Sequence, residues 1–394
     1  MGGLIVGMSA PSPKRGFGID IGSRVLQLAE ISRQGDQLHL EGIGAFPLAP
    51  GFVEQGVVTD PRGLAKGLRS YLRQTRIRSR KVTFSIPSSS AVIRWLKLPP
   101  LEGSELREAA KFKVKRHLPF PVDQAYVEAT PLDANKGEEE VEHLVVSVPR
   151  RVIDSRAMTL EHAGLEPVCA ELEAQAILRI VDSRLRRKSP LWSDASLTII
   201  DIGGTMTHMY VIQSRRLHFM RGVPFGAELF VQSVAMELGV SFESAAQLLA
   251  SDGAQIDETG TLQVRTEDVV ASVPLQQELE KLTREFLRLL RYFRSLHPER
   301  SYAGILDHVL LCGGMAGLKG LDAYLAERLE LRVERMRPLA NMVGSFDPDS
   351  FAAISARQEA FTVVVGLALS GVGLPWEGFD TQEGENEFVW ARAA

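Results

Sequence analysis

Near the N-terminus, apolar and polar positions alternate in short runs that predict three β-strands joined by tight turns. Residues 16–19 enter the turn Asp20-Ile21-Gly22-Ser23, an apolar return strand follows over residues 25–31, and a third strand begins at Gln37. The same order recurs almost half a chain length later, where residues 197–200 enter the turn Asp201-Ile202-Gly203-Gly204-Thr205. A repeat this long is not a solenoid. It predicts two related lobes, each built on a meander whose first hairpin ends in a glycine turn.

Helical periodicity predicts most of the elements between and after the two meanders. The clearest case is residues 274–296, where Leu282, Phe286, Leu289 and Phe293 recur at spacings of four and three on one face. Ser104 is a suitable N-cap for a helix that ends near His117. The other predicted elements are helices at residues 64–74, 151–163, 173–186, 225–238, 243–250, 321–329 and 361–369, and strands at residues 82–86, 144–148 and 308–311.

Composition and charge exclude several classes of protein. The 394 residues are 45% apolar and 24% charged, which is typical of a globular chain of two or three domains or of one bilobed body. No run approaches the roughly 18 apolar residues that span a bilayer, and residues 1–8 lack the basic region of a signal peptide. A net charge of −4 disfavours nucleic acid and anionic lipid, and two cysteines suit a reducing compartment. We therefore expect a soluble cytoplasmic protein that neither inserts into a membrane nor binds nucleic acid.

Three glycine turns carry the candidate chemistry. In the first two, glycine lets a hairpin bring backbone N–H groups close to an anion, while the aspartate can orient water on a metal ion. The third, Cys312-Gly313-Gly314-Met315, ends a buried strand ahead of a helix, a geometry that lets backbone pass close to a nucleoside. Each turn alone is typical of an ordinary hairpin. Together they predict a duplicated nucleotide clamp, with one phosphate turn from each lobe.

On these residues the chain resembles the actin-like ATPase superfamily, and within it the PilM family of cytoplasmic type IV pilus assembly proteins, over residues 16–373. Further matching motifs are Gly18-Ile19-Asp20-Ile21-Gly22-Ser23, Leu48-Ala49-Pro50-Gly51 with Asp60-Pro61, His117-Leu118-Pro119-Phe120-Pro121 (the family's YIPFP stretch), Glu171-Leu172-Glu173, Pro224-Phe225-Gly226, Ser241-Phe242-Glu243 and Leu311-Cys312-Gly313-Gly314. The resemblance implies an α/β fold, namely an actin-like, ribonuclease H-like duplicated two-lobed architecture with a small inserted α+β subdomain.

The resemblance also implies how the chain is divided. The predicted segments are residues 14–81 as the N-terminal part of the first lobe, 82–166 as the inserted small subdomain, 167–190 as the connecting helix of the first lobe, 191–373 as the second lobe, with a helix at 356–373 returning toward the first lobe, and 374–394 as a flexible tail. The nucleotide cleft would lie between the two lobes.

ATP with Mg²⁺ is the ligand that the resemblance implies. The residues expected to bind it are Asp20, Ile21, Gly22, Ser23, Asp201, Gly203, Gly204, Thr205, Gly226, Gly313, Gly314 and Met315. Asp20 and Asp201 would hold the metal through water, and Glu173 and Asp201 are weak candidates for a catalytic role. Acidic residues at a helix start are equally well explained by the helix dipole. We therefore expect an ATPase at most, and not an efficient enzyme.

Four positions depart from the family's pattern. Gln27 stands where a phosphate-facing Lys is usual, Ala246 and Leu249 replace a Glu and a Lys directed at the ribose and base, and Val231 replaces a hydroxyl residue. Each lost polar contact costs about 1 kcal/mol, and more where a charge is lost. The expected nucleotide site is therefore partly degenerate.

A protein partner is the second ligand that the resemblance implies. In the family, the inserted subdomain helps to hold a short N-terminal segment of the inner-membrane protein PilN. Here Arg116, Pro119, Phe120 and Pro121 are the residues expected to bind it. The alternative for Phe120 is that it fills the subdomain core. The basic runs at residues 69–81 and 111–116 are typical of a solvated face.

We therefore expect a cytoplasmic scaffold of the type IV pilus inner-membrane platform. A PilN-like protein would recruit it to the inner face of the inner membrane, where it would also contact other pilus components. Two alternatives stay open: an active actin-like ATPase, and an FtsA-like filament former associated with the membrane. The second requires a basic amphipathic anchor helix, whereas the tail after Trp376 is acidic.

Overall fold

The computed structural model describes residues 14–131, 140–185, 196–213, 216–267, 269–296 and 308–374, so the predicted tail lies outside the described residues from residue 375 onward. The first half contains β1 (Lys14–Ile21), β2 (Val25–Gln34), β3 (Gln37–Pro47), β4 (Val53–Glu54), β5 (Val57–Val58), α1 (Pro61–Leu72), β6 (Lys81–Ile86), β7 (Val92–Leu98), α2 (Gly103–Val114), β8 (Ala125–Pro131), β9 (Val141–Pro149), α3 (Arg150–His162), β10 (Glu166–Leu172) and α4 (Glu173–Leu185). The second half contains β11 (Ser196–Ile202), β12 (Thr207–Gln213), β13 (Arg216–Val223), α5 (Ala227–Leu238), α6 (Phe242–Leu249), β14 (Ala254–Ile256), β15 (Thr261–Arg265), β16 (Val270–Pro274), α7 (Gln276–Leu296), β17 (His308–Cys312), α8 (Leu321–Leu329), β18 (Arg332–Arg335), β19 (Met342–Gly344), α9 (Pro348–Ser355) and α10 (Thr362–Gly371).

Each half of the chain builds a mixed sheet of the same design. The first sheet has the strand order β10-β6-β1-β2-β3-β19, and the second has the order β13-β12-β11-β17-β18. In both, an antiparallel meander lies beside a strand that runs parallel to the first strand of the meander, β6 beside β1 and β17 beside β11. The predicted duplication is therefore visible in the sheets themselves.

Elements from the second half of the chain complete the first sheet and its helical layer. β19 pairs in parallel with β3, and α10 packs on β1 and α4. Glycine makes this close approach possible, because a Cβ on Gly16 would lie 1.9 Å from the carbonyl oxygen of Ala368 and one on Gly18 would lie 2.5 Å from that of Val364. α10 is accordingly buried from residue 362 to residue 370.

Two helices show how local sequence sets the elements. Asp60 caps α1 by accepting a hydrogen bond from the amide of Gly63, and a proline occupies the first turn. In α7, the predicted apolar stripe is buried, including Leu282, Phe286 and Phe293. This stripe forms a large part of the core of the second half.

A small antiparallel sheet, with the strand order β7-β9-β8, forms the centre of the insert. One of its faces, with Val146 and Val148, joins the large core of the first half. The other face, with Val127 and Val145, packs against α2 to form a separate small core, which we call the subdomain core. The insert is therefore attached to the first lobe through one sheet face.

β6 corrects the predicted start of the inserted subdomain at residue 82. This strand pairs in parallel with both β1 and β10 inside the six-stranded sheet, and α3 packs against α1. Both elements belong to the first lobe by their contacts, although the sequence analysis placed them in the subdomain. A run of apolar residues predicts a buried strand, but it does not show which of two sheets receives it. The other segment bounds stay predictions.

Within the described residues, no single helix is both long and apolar enough to cross a membrane. α9 and the segment Gln358–Gly371 meet those criteria of length and composition only as a pair, and the pair is bent by 82°. Its apolar part, α10, is buried against β1 and α4.

A buried ion pair fastens α4 to β10 and α10. The guanidinium of Arg179 donates to both carboxylate oxygens of Glu171, at 2.8 Å and 3.0 Å, and to the carbonyl oxygen of Gly366 at 2.9 Å. The hydroxyl of Ser370 donates to the same carboxylate at 2.6 Å. Glu171 thus has a structural role in this fold.

We predict that Arg179→Ala lowers the free energy of unfolding by about 3–5 kcal/mol, because it leaves the carboxylate of Glu171 buried without its cation. Urea unfolding monitored by circular dichroism measures the change. Lys81→Ala is the matched control, since the Lys81–Glu166 pair is exposed with 4.0 Å between its charged atoms, and it should leave the urea midpoint nearly unchanged. Equal effects of the two substitutions would contradict the role assigned to the buried pair.

Candidate functional site

The two aspartate turns lie against each other, as the duplicated pattern predicts. Asp20 is the second-last residue of β1 and Asp201 the second-last of β11, and a Cβ added to Gly204 would lie 2.8 Å from the hydroxyl oxygen of Ser23. Asp20 is also close enough for its charge to raise the pKa of Asp201. The turns therefore form one site, which we call the cleft.

Each turn is closed by the same hydrogen bond. The amide of Gly22 donates to the carbonyl oxygen of Val25 and that of Gly203 donates to the carbonyl oxygen of Met206, both at 3.0 Å. The Gly22 amide, an expected anion donor, is therefore already used within its hairpin. The amides of Ser23, Gly204 and Thr205, which were also expected to bind an anion, have no acceptor within the described part of the chain.

The start of α5 supports the second turn. The amides of Ala227 and Glu228 donate to the carbonyl oxygens of Gly203 and Gly204, each at 2.9 Å. Gly226, which precedes the helix, approaches the same turn so closely that a Cβ would lie 2.4 Å from the carbonyl oxygen of Gly204. The predicted motif at residues 224–226 therefore holds the turn in shape.

Three carboxyl groups lie close together in the cleft, those of the buried Asp201 and of the half-buried Asp20 and Glu173. Glu173, the first residue of α4, accepts a hydrogen bond from the amide of Ser88 at 2.8 Å. Burial, together with the charges of Asp20 and Asp201, raises the pKa of Glu173 to about 8. Burial and the charge of Asp20 raise the pKa of Asp201 to about 7. Burial also raises the pKa of Asp20, against the opposing effects of a hydrogen bond with Ser85 and the charge of Arg156.

Arg156 on α3 is a cation of the site that the sequence analysis missed. Its side chain is fully buried and donates to the carbonyl oxygens of Gly56 at 3.0 Å and Ser85 at 3.3 Å. Burial lowers its pKa to about 10, while Asp20 and Glu173 act in the opposite sense. One signal could have revealed it, because helical spacing places Arg156 on the same stripe as the buried Val152 and Leu160.

A hydroxyl pair links the two halves behind the carboxylates. The fully buried phenol of Tyr210 on β12 lies 3.1 Å from the hydroxyl of Ser88. The sequence analysis assigned neither Ser88 nor Tyr210 to a site. Neither residue carries a local signal for this contact, since they are far apart in the chain.

The third turn packs directly on the second. Gly313 has a φ of +89°, and a Cβ there would lie 2.5 Å from a carboxylate oxygen of Asp201, so glycine is required twice over. The thiol of Cys312 forms a hydrogen bond with Asp201, and burial raises its pKa well above its usual value. A Cβ on Gly314 would meet nothing within 4 Å, so space beside this residue is open.

Two of the residues expected to bind nucleotide have side chains elsewhere. Ile21 lies in the core of the first half and Met315 in the core of the second half. Either residue could therefore reach a ligand through its backbone but not through its side chain.

The positions that depart from the family's pattern have structural explanations. Gln27 lies directly opposite Asp20 in the β1–β2 pairing. Leu249 is 6% exposed and packs, with Val231 and the half-buried Ala246, in or against the core of the second half. An apolar side chain at residue 249 thus joins the core, and a lysine there would have to leave it.

The cleft residues suit a divalent cation bridged by water. One buried oxygen of Asp20, Oδ1, has no hydrogen-bond partner within the described residues. Three carboxyl groups with raised pKa values share a site with one buried arginine, and a cation would relieve their repulsion in place of a proton. In the described residues, no three His, Cys, Asp or Glu side chains are grouped closely enough to hold a metal ion directly. Water-mediated binding by Asp20 and Asp201 is the arrangement that fits.

The expected partner residues follow α2 in the insert. Arg116, Pro119 and Pro121 are exposed, whereas Phe120 is half-buried and packs against the subdomain core. The predicted strand at residues 144–148 lies in β9, the central strand, which pairs with β7 and β8 on its two sides and therefore offers no free edge. β7 and β8 are the edge strands of this sheet.

The chain has relatives among known proteins. A family profile described as type IV pilus assembly protein PilM matches residues 18–372. A solved PilM-PilN type IV pilus biogenesis complex contains a chain that is 24% identical, with a TM-score of 0.75 and coverage of 91% of this chain and 98% of that one. The ethanolamine utilization protein EutJ from Carboxydothermus hydrogenoformans is 13% identical, with a TM-score of 0.51 and coverage of 92% and 91%. These likenesses confirm the predicted α/β actin-like fold class.

A curated relative matches over a shorter stretch. The type II secretion system protein L of Xanthomonas campestris pv. campestris is 40% identical over 72 residues, which are 18% of this chain and 19% of that protein. The match therefore spans about a fifth of the length of the relative.

We predict that the buried carboxyl groups make stability depend on pH. Because the pKa values of Glu173 and Asp201 are raised, the folded protein holds protons that the unfolded chain has lost, and this contribution to stability disappears as pH rises through about 7 to 8. The melting temperature should therefore fall between about pH 6 and about pH 8.5. Glu173→Gln should flatten this dependence and raise the melting temperature at the higher pH.

Differential scanning calorimetry of both proteins across this range measures the effect. Glu105→Gln on the exposed surface of α2 is the control and should leave the dependence unchanged. If the melting temperature of the wild type depends on pH as weakly as that of Glu173→Gln, Glu173 is ionised at neutral pH in the folded protein. The acid cluster would then not be a source of instability.

Proposed function

Because the chain belongs to the PilM family of type IV pilus assembly proteins, we propose that it is a cytoplasmic scaffold of the pilus inner-membrane platform. It binds a short, extended N-terminal segment of a PilN-like membrane protein, which holds it at the inner face of the membrane. The observation that carries this proposal is an open strand edge, that of β8, above an apolar crevice between the insert and the first lobe.

The insert forms one wall of the crevice, and the first lobe forms the other. Tyr126 and Val148 line it on the side of the insert, and Ile86 and Leu172 line it on the side of the six-stranded sheet. In this structure it closes to a cavity of about 10 Å³, roughly the space of one water. Apolar side chains of a peptide would enter by separating these walls, and their burial would supply most of the binding free energy.

The edge of β8 supplies backbone hydrogen-bonding groups for the peptide. β8 pairs with β9 on one side, and it is the outer strand of its sheet. An extended peptide can add to such an edge through backbone hydrogen bonds, while alternate side chains point into the crevice. Arg116 and Phe120 are not among the residues that line this crevice.

The rim of the crevice is charged. Glu128 of β8 lines the crevice and lies 3.5 Å from Arg107 of α2. Burial raises the pKa of Glu128, while the adjacent Arg107 lowers it. The pair offers an acceptor and a cation to polar groups of a peptide that flank its buried side chains.

The cleft also supports weak binding of ATP with Mg²⁺. The amides of Ser23, Gly204 and Thr205 lie on two touching turns without acceptors in the described part of the chain, which suits the oxygens of a phosphate group. Asp20 and Asp201 would hold the metal through water, and the open space beside Gly314 suits the nucleoside. Bound Mg²⁺ would neutralise phosphate charge and favour the ionised forms of Asp20 and Asp201, the two carboxylates that would hold it.

The same carboxylates argue against efficient hydrolysis. A general base works best with a pKa near the working pH and with its proton already lost. Glu173, with a pKa raised to about 8, is mainly protonated at neutral pH. Nucleotide, if held, would therefore serve mainly to fix the geometry of the two lobes.

For the partner site, we predict that Glu128→Arg weakens binding of the N-terminal peptide of a PilN-like protein about tenfold or more, because it adds bulk and a second cation beside Arg107. Calorimetric titration of the full chain with the synthetic peptide measures this. Glu105→Arg makes the same charge change on the exposed side of α2 and should bind as the wild type does.

Phe120→Ala and Arg116→Ala complete that experiment. If Phe120→Ala lowers thermal stability while its folded fraction binds normally, Phe120 is a core residue and not a contact. If Glu128→Arg binds as well as the wild type, the crevice is not the groove. If the wild type binds no peptide with or without nucleotide, the scaffold proposal fails.

For the cleft, we predict that Gln27→Lys tightens binding of ATP with Mg²⁺ about tenfold, since it places a cation opposite Asp20 and near the first phosphate turn. Gln37→Lys, an exposed position at the start of β3, is the control and should not change affinity. Asp201→Asn should remove the dependence on Mg²⁺. Tight binding by the unmodified chain that survives Asp201→Asn would contradict the proposed site.

A further inference from the structure

Arg24 extends from the first turn to the second half of the molecule. Its Nε donates to a carboxylate oxygen of Glu228 on α5 at 2.5 Å. Its guanidinium also lies over the ring of Phe242 on α6, 5.3 Å from the ring centroid. Arg24 is about one-third exposed, so this cation bridges the two halves at the surface of the cleft and not in the core.

The bridge lies directly on the residues expected to receive phosphate. Arg24 follows Ser23, whose hydroxyl touches Gly204, and the amide of Glu228 donates to the carbonyl oxygen of Gly204. The carbonyl oxygen of Arg24 accepts from the amide of Leu48 at 2.8 Å, which fixes the backbone of the turn independently of the side-chain contacts. One end of the bridge therefore belongs to the first turn, and the other end lies on the helix that supports the second.

The charge balance of the cleft leaves a role for such a cation. Asp20, Glu173 and Asp201 are acidic, and the only buried guanidinium beside them in the described residues, that of Arg156, is held from behind by Gly56 and Ser85. Gln27, opposite Asp20, is neutral. A nucleoside diphosphate or triphosphate brings further negative charge, and Arg24 is the cation beside the turns that can exchange its carboxylate partner for a phosphate.

We propose that Arg24 is the phosphate-binding cation of the cleft. Without ligand it is held by Glu228 and Phe242, and with a nucleoside polyphosphate it leaves Glu228 and pairs with phosphate oxygens. A guanidinium suits both partners, because its planar fork binds carboxylate and phosphate alike and stacks on an aromatic ring. This inference rests on the proposed nucleotide site and identifies the residue that takes the place of the missing lysine at residue 27.

Glu228 then competes with the ligand for the same cation. Removing its charge should free Arg24 and tighten binding, whereas removing Arg24 should weaken it. The two substitutions should therefore change nucleotide affinity in opposite directions. If Arg24 only held the cleft closed, its removal would instead tighten binding. The effect should depend on the phosphates, since Arg24 would not contact the base or the ribose.

The test is calorimetric titration of the full chain with ADP, ATP and adenosine in the presence of Mg²⁺. We expect Arg24→Ala to weaken ADP and ATP about tenfold or more, Arg24→Lys to weaken them less, and Glu228→Gln to tighten them several-fold. Adenosine should bind all variants equally. Arg33→Ala is the control, because Arg33 is similarly exposed and pairs with Asp36 at 3.6 Å on the hairpin after β2. Thermal melts establish that each variant is folded.

The outcomes are distinguishable. If the wild type binds ADP and Arg24→Ala binds it equally or more tightly, the role of Arg24 is overturned while the nucleotide site stands. If neither the wild type nor Gln27→Lys binds any nucleotide, the proposed nucleotide site itself fails, and the role of Arg24 with it.

Discussion

The structure depends on holding three carboxyl groups close together where its two halves meet. Asp201 is buried and Asp20 and Glu173 are half-buried, and Arg156 is the buried cation beside them in the described residues. Buried charges are costly unless they are paired, so these groups gain protons, hydrogen bonds or a bound cation. The raised pKa values of Glu173 and Asp201 favour the protonated carboxyl group. A divalent cation would favour the ionised carboxylates instead, so the acid cluster is a candidate site as well as a constraint.

The duplication makes this meeting possible, but the two halves contribute different chemistry. Each supplies one aspartate on an equivalent hairpin, closed by an equivalent hydrogen bond. The first half adds Glu173, Arg156 and Ser88, while the second adds Tyr210 and Cys312. The second half thus offers one acid, Asp201, flanked by weak donors, and the first half offers two acids, Asp20 and Glu173, and the cation. A symmetric fold therefore carries an asymmetric site.

The sequence predicted local structure best where a residue type is typical of one conformation. Both turns could be predicted because glycine between an aspartate and a short polar loop is typical of a tight hairpin, and the stripe of α7 followed from its spacing. Strand order could not be predicted in the same way. The patterns of β6 and β9 are those of buried strands, but neither shows that β6 joins the large sheet or that β9 is central in the small one.

Long-range contacts explain the residues that were missed or misplaced. Ser88 meets Tyr210 across 122 residues and Arg156 meets Ser85 across 71, and no local pattern encodes such a distance. Leu249 is a different case. The family resemblance directs residue 249 at a ligand, whereas the apolar side chain present here packs in the core. A motif therefore predicts the path of the backbone more reliably than the direction of a side chain that differs from the family's pattern.

The crevice and the cleft are built on the same strand ends. Ile86 and Leu172, the last residues of β6 and β10, line the crevice. Ser88 and Glu173, which follow them within two residues, line the cleft and are joined by a hydrogen bond. A peptide bound in the proposed crevice would therefore act on the backbone that positions Glu173, and a ligand bound in the proposed cleft would act on the backbone that shapes the crevice. The two proposed sites would thus be linked through the adjacent ends of β6 and β10, which pair in parallel with a register shift between Pro167 and Cys169.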